Sequence, residues 1–147
     1  MTEIPLNLAY SPSHFARDFE ATLTRQAALG IDLVARHQPI TLRYGEDPAA
    51  RLNLFVPEST AGPWPLMLFI HGGYWQALDN TATDFLAERY LARGMAFASL
   101  GYGLAPETSI NTMVSQCIEG IGAACNALAD NGGVWSIVLG GHSAGAQ

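Results

Sequence analysis

The chain has 147 residues, 49% of them apolar and 14% charged, with a net charge of −6. That length and apolar content suffice for one domain with a real core and exclude intrinsic disorder. The acidic balance and seven basic residues that form no run exclude a nucleic-acid partner. No stretch approaches the roughly 18 continuous apolar residues of a membrane span. Met1–Pro5 has neither a basic n-region nor an apolar h-region. The expected location is therefore cytoplasmic, with no membrane partner. Cys117 and Cys125 lie eight residues apart in what reads as one helix, about 12 Å along its axis. They are too far apart to pair and read as small core residues.

Met1–Tyr10 reads as an extended arm. A helix is expected from Ser11-Pro12-Ser13, with Phe15, Phe19 and Leu23 on one face at i, i+4, i+8. Gly30 is expected to interrupt it before it resumes to Arg36. Ile40–Tyr44 and Leu52–Val56 alternate apolar and polar residues around the turn residues Gly45-Glu46-Asp47-Pro48, which predicts a hairpin with one wetter face at a sheet edge. After a loop over Pro57–Pro65, Leu66–Ile70 is apolar without a break, as in a strand buried on both faces. It runs into His71-Gly72-Gly73-Tyr74-Trp75. A helix is predicted over Thr81–Ala92, capped by Asp79, Asn80 or Thr81 and ended by Gly94.

Met95–Leu100 reads as a further buried strand, leading to Gly101–Glu107. Ile110, Met113, Val114, Cys117, Ile118, Ile121 and Leu128 recur at helical spacing, closed by Asn131-Gly132-Gly133. Ser136–Leu139 then reads as a short buried strand entering Gly141-x-Ser143-x-Gly145. Buried strands alternating with helices imply right-handed crossovers and a parallel sheet covered on both faces. The expected domain is one α/β unit: residues 1–37 an arm and helix, residues 38–147 a sheet core.

Gly141-x-Ser143-x-Gly145 fits a nucleophile elbow, a crowded strand-to-helix turn that exposes one serine hydroxyl and leaves no room for a Cβ on either side. Ser143 is the candidate catalytic nucleophile, and it requires a base oriented by an acid. The consecutive glycines after Ile70 let backbone N–H groups point at an oxygen, as an oxyanion hole needs. The Ala144 N–H, just after the nucleophile, would add a donor. Trp75 and Tyr74 offer aromatic walls for a substrate pocket. All four histidines precede Ser143, whereas the triad order of this elbow type is Ser, acid, His. His71 is read as ordering its loop, His142 as packing beside the elbow, and His14 and His37 as surface residues. Glu107 is read as a structural cap. Nothing has metal-ligand spacing, and no metal or cofactor is implied.

His71-Gly72-Gly73 and Gly141-x-Ser143-x-Gly145 together resemble the α/β-hydrolases, specifically the branch related to hormone-sensitive lipase. That branch places an HGG loop after the third strand and the elbow after the fifth. Tyr102-x-Leu104-Ala105-Pro106-Glu107 resembles its Y-R-L-A-P-E segment. Gly101 and Gly103 depart from it where Asp and Arg are common, so an ion pair there is missing. His71–Trp75 and Tyr10-Ser11-Pro12-Ser13 resemble kynurenine formamidases (arylformamidases), and HGGxW also occurs in carboxylesterases. The resemblance covers nearly the whole chain but only the N-terminal half of the family pattern, with the chain stopping just past the elbow. It implies an α/β-hydrolase fold: a mostly parallel sheet with an N-terminal antiparallel hairpin and helices on both faces. It also implies Ser143 as nucleophile, Gly73, Tyr74 and Ala144 as oxyanion donors, and a small-molecule ester or aryl formamide as substrate. The acid and base are expected beyond Gln147, so the alternatives are a catalytically incomplete fragment or a pseudo-hydrolase binding module. A homo-oligomer is compatible with the sequence.

Overall fold

The structure, a computed structural model, describes residues 4–58 and 60–147. Five strands form one sheet in the order β1-β2-β4-β3-β5: β1 Ile40–Arg43, β2 Arg51–Phe55, β3 Trp64–Ile70, β4 Ala96–Leu100 and β5 Val134–Gly141. β1 and β2 form the antiparallel hairpin, with Ile40 opposite Leu54 and Arg43 opposite Arg51. β2 is antiparallel to β4, whereas β3 runs parallel to both β4 and β5. The mixed sheet with an N-terminal hairpin is thus as expected.

Strand alternation builds two cores. Leu52, Leu54, Leu66, Leu68, Ala98 and Leu100 face α5 (Ile110–Ala129), packing on its Ala124 and Leu128. Phe55, Met67 and Phe97 face the other way, onto Leu33 of α3 (Phe19–Arg36) and Ala87 and Leu91 of α4 (Ala87–Leu91). β3 is buried from both sides because it carries a bulky apolar residue at nearly every position.

Several local expectations need correcting. The arm is not extended throughout: Leu6–Ala9 forms a short helix, α1, while Met1–Glu3 lie outside the described residues. The single helix from Ser11 is two, α2 (Pro12–Phe15) and α3, because Ala16 is extended and Asp18 takes a left-handed φ of 54°. Phe15 and Phe19 therefore share no buried face, and both are exposed. Gly30 does not interrupt α3. It is buried where the helix crosses Thr81, Asp84 and Phe85, and its lack of a side chain allows that approach.

Within the Pro57–Pro65 loop, Trp64 and Pro65 already belong to β3, and Ser59 is outside the described residues. The helix expected at Thr81 starts as a 3₁₀ helix over Asn80–Leu86, capped by the Asp79 carboxylate accepting from the Thr81 N–H at 2.9 Å, and becomes α only at Ala87. The wet face of β2 is not wet: Asn53 is buried beneath this 3₁₀ helix. α5 buries Met113, Gln116, Gly120, Ala124 and Leu128, leaving Ile110, Val114 and Ile118 exposed. Its cap is Ser109, which accepts from the Thr112 N–H, and not Glu107. β5 lies at the sheet edge with Ile137, Val138 and Leu139 about half exposed, so it is not the buried strand its composition suggests. Both cysteines are free on α5, and burial pushes the Cys117 thiol up to about 11, leaving it protonated and unreactive at neutral pH. Among the described residues no helix is long and apolar enough to cross a membrane.

Candidate active site

β3 and β5 are adjacent and parallel, so the two glycine-bearing turns that leave their C-terminal ends meet. At the end of β5, Ser143 holds φ at 53°, in the left-handed region that non-glycine residues rarely occupy. It opens a 3₁₀ turn, Ser143–Ala146, in which the Gly145 N–H donates to His142 O at 3.0 Å. The crowding that the motif implies is present. A Cβ on Gly141 would sit 2.0 Å from Gly145 O, and one on Gly145 would sit 2.3 Å from Ile70 O. Both glycines are steric requirements. Ser143 itself is exposed and Ala144 is buried behind it.

The loop after β3 lies directly against this turn. A Cβ on Gly72 would meet His142 O at 2.7 Å and the Ser143 Cβ at 3.2 Å. Gly73, Tyr74 and Trp75 then take φ values of 112°, 56° and 59° in succession. Such a run is strained, and it persists only where its surroundings hold it. Gly73 O accepts from the Gln76 and Ala77 N–H groups, both at 3.0 Å, and Trp75 O accepts from Ala105 N–H at 2.8 Å. The N–H groups of Gly73 and Tyr74 donate to nothing among the described residues.

His71 braces the loop from inside. Fully buried, its ring stacks on Tyr102 with centroids 4.4 Å apart, and Nδ1 lies 2.6 Å from Gly72 O. With a carbonyl as partner, Nδ1 carries the proton. Burial pulls the His71 pKa down, which keeps the ring neutral, and Nε2 has no hydrogen-bond partner among the described residues. The Tyr102 hydroxyl donates to His71 O at 2.9 Å, and burial pushes that phenol up to about 12. His71 therefore orders its loop as expected. His142 is exposed beside the elbow, His14 is exposed, and His37 is half-buried.

The segment Gly101–Thr108 is clamped in turn. Tyr44 OH donates to Gly101 O, Gly103 N–H donates to Gln116 Oε1 at 2.8 Å, and Thr108 OH donates to Asp47 at 3.2 Å. The two departures from Y-R-L-A-P-E now have a cause. A Cβ on Gly103 would lie 2.1 Å from Asp47 Oδ2, and one on Gly101 would lie 2.5 Å from Ala49 O. The hairpin turn occupies the space that larger side chains would need.

Trp75 and Ala144 line a groove of about 480 Å³ together with residues of α5 and β5. A larger cleft, about 860 Å³, lies away from the elbow between α3, the hairpin and the first 3₁₀ helix, with Thr41, Asn53 and Asp84 among its lining. Sequence reasoning missed the polar cluster there. Asp84, 2% exposed, accepts from Asn53 Nδ2 at 2.8 Å and from the Ser99 hydroxyl. Burial raises the Asp84 pKa to about 6 despite those two bonds. The available signal was a single polar residue flanked by apolar ones in each of two strands, Asn53 between Leu52 and Leu54 and Ser99 between Ala98 and Leu100.

A five-stranded mixed sheet flanked by helices, with a glycine-bordered serine at one strand end and an HGG loop beside it, defines the α/β-hydrolase class. Solved structures agree. A putative thioesterase from Silicibacter sp. TM1040 matches with TM-score 0.77 and 33% identity over 96% of this chain and 53% of its own. The bacterial heroin esterase matches with TM-score 0.65 and 29% identity over 86% and 43%. The BD-FAE family model matches residues 52–147, and the chain belongs to that family. Among curated proteins, kynurenine formamidase of Danio rerio is 30% identical over all of this chain and 52% of its own length. A probable isoprenylcysteine alpha-carbonyl methylesterase of Arabidopsis thaliana is 36% identical over 71% of this chain and 22% of its own. The chain thus spans about half the length of the zebrafish enzyme and less of the plant one. The relatives are formamidases and esterases, as the resemblance to the hormone-sensitive-lipase branch implied.

Proposed function

We propose that this chain is the nucleophile-bearing part of a serine hydrolase that cleaves a small carboxylic ester or an aryl formamide of the N-formylkynurenine type. The observation that carries the reading is Ser143 at φ 53°, with Gly72 packed against it and the next two N–H groups, of Gly73 and Tyr74, unpaired among the described residues. Ser143 Oγ attacks the carbonyl carbon while a histidine base, supplied by polypeptide beyond Gln147, takes its proton. The N–H groups of Gly73, Tyr74 and Ala144 hold the resulting oxyanion. Collapse expels the alcohol or arylamine, protonated by the same histidine, and leaves an acyl (or formyl) ester on Ser143. Water, deprotonated by that histidine, then releases the acid. Trp75 forms one wall of the substrate pocket. On this reading residues 1–147 alone lack the groups that activate Ser143, and the chain by itself is inactive.

The formamide alternative is favoured by one finding: the Danio rerio formamidase match runs over the entire chain, whereas the Salmo salar and Drosophila melanogaster formamidases match 74% and 72% of it and the methylesterase 71%. The ratio of kcat/KM on N-formylkynurenine and on p-nitrophenyl acetate, measured on the complete enzyme, separates the two substrates. Ser143→Ala in that enzyme is expected to lower kcat by about 10⁶-fold with the fold intact by circular dichroism. Turnover surviving that substitution removes Ser143 from the mechanism. Activity on neither substrate by the complete wild-type enzyme rejects the hydrolase reading.

A further inference from the structure

The larger cleft, about 860 Å³, has the volume of a small-molecule site, and no residue of the elbow or the HGG loop lines it. One wall is α3, whose Leu23, Ala27, Ile31 and Val34 recur at i, i+4, i+8 and i+11. Leu78, held at a left-handed φ of 72°, lines it from the loop before the first 3₁₀ helix. Ile31 and Leu78 are 74% and 43% exposed, so apolar surface lies open to water along the rim. The floor is polar. Thr41 OH donates to Asn53 Oδ1 at 2.9 Å, Asn53 Nδ2 donates to Asp84 Oδ2 at 2.8 Å, and the Ser99 hydroxyl donates to Asp84 Oδ1. Thr41 and Ser99 spend their only protons inside this network, which leaves about two of the roughly four acceptor sites of the Asp84 carboxylate unused. That carboxylate also has no counter-ion. The ion pairs among the described residues leave it out, and Arg51 is spent on Asp79 at 3.3 Å and Asn80 at 3.2 Å. A buried carboxylate without a cation beside it is costly, and burial holds this one up at about 6.

We propose that the cleft is a second ligand site, for a small organic amine whose ammonium donates to Asp84 and whose alkyl or aryl body covers Leu23, Ile31, Val34 and Leu78. Such a ligand supplies both things the cleft lacks, a positive charge at a buried carboxylate and cover for an apolar rim. An anion would meet Asp79 and Asp84 with no basic side chain in the lining to receive it. A metal ion would find only those two carboxylates, and no group of three or more His, Cys, Asp or Glu suited to hold one occurs among the described residues. Because Ser143 lies elsewhere, the site goes beyond the hydrolase reading and does not depend on it.

The test titrates the 147-residue chain with 2-phenylethylamine, protonated near neutral pH as lysine is, and with its neutral counterpart 2-phenylethanol, following amide chemical shifts. Amides of residues 23–34 and 78–84 should shift, with an affinity at least about tenfold tighter for the amine, the difference a charge-assisted hydrogen bond makes. Asp84→Asn should bring the two affinities within about twofold of each other. Ile31→Arg, at an exposed position of α3, should weaken the amine more than the alcohol while leaving the melting temperature unchanged, and it decides the matter if Asp84→Asn does not fold. Equal affinity for the two probes in the wild-type chain overturns the proposal, as does an amine affinity that Ile31→Arg leaves untouched. So do shifts centred on residues 141–145, or none at all up to about 10 mM amine, a concentration that reveals even millimolar binding.

Discussion

At Ser143 and along Gly73-Tyr74-Trp75 the backbone sits in left-handed conformations, and each is held by a neighbour rather than by its own preference. Gly73 shows what that demands. A Cβ there would lie 2.0 Å from Ala77 O at a φ of 112°. Gly73→Ala is expected to lower stability by roughly 1–3 kcal/mol, read from urea denaturation, and to lower kcat of the complete enzyme more than it raises KM. Asp84 makes a different prediction. Its folded pKa, about 6, lies above the ordinary 3.8, so the folded state holds its proton more tightly than the unfolded chain. The favourable contribution is complete below about pH 4 and is lost as pH rises through 6. Wild-type stability should fall by roughly 2–3 kcal/mol across that window from this group. Asp84→Asn should flatten the fall, as measured by melting temperature at a series of pH values. The glycines and the serine of the site were legible because the turns they form tolerate few other residues. Asp84 was not, since nothing local distinguishes a buried aspartate from a capping one.

Helix glycines behave according to what lies across from them. Gly30 in α3 and Gly120 in α5 are both mid-helix and buried, but the space around them differs. A Cβ on Gly30 would make ordinary contacts at 3.6–3.8 Å, whereas one on Gly120 would meet Tyr44 Cζ at 2.8 Å and Leu100 Cδ2 at 3.0 Å. Gly30→Ala should therefore raise stability by about 0.5–1 kcal/mol, the usual gain for removing a helix-interior glycine. Gly120→Ala should lower it, since the Tyr44 ring is tethered to Gly101 O and cannot retreat freely. Thermal unfolding of the two variants side by side checks both signs. The types of the five strands and of α3 and α5 followed from periodicity, because 3.6-residue and two-residue repeats are local properties of the chain; the short helix Leu6–Ala9 and the 3₁₀ character of Asn80–Leu86 did not. Element ends did not. The break at Ala16–Asp18 and the 3₁₀ start at Asn80 have no signal in periodicity; the 3₁₀ segment is where α3 crosses through Gly30.

For the molecule as a whole, strand order decides what is exposed. The same apolar composition gives a buried strand at β4, in the middle of the sheet, and a half-exposed one at β5, at its edge. An uncharged edge is a template for pairing with other chains. Val138→Lys should reduce concentration-dependent association of the 147-residue chain, measured by light scattering, without lowering its melting temperature.

The sequence by itself determined the fold class, the hairpin, the two glycine-bordered turns and the serine between them. Those features depend on residue types at fixed short spacings: alternation for strands, helical spacing for α5, and glycines where a Cβ cannot fit. The tertiary structure alone decided which apolar residues are buried and which wait at an edge. It alone placed Asp84 over Asn53 and Ser99, and filled the space around Gly101 and Gly103 with the hairpin turn. Burial and close approach are set by partners distant in the chain, and no local spacing encodes them.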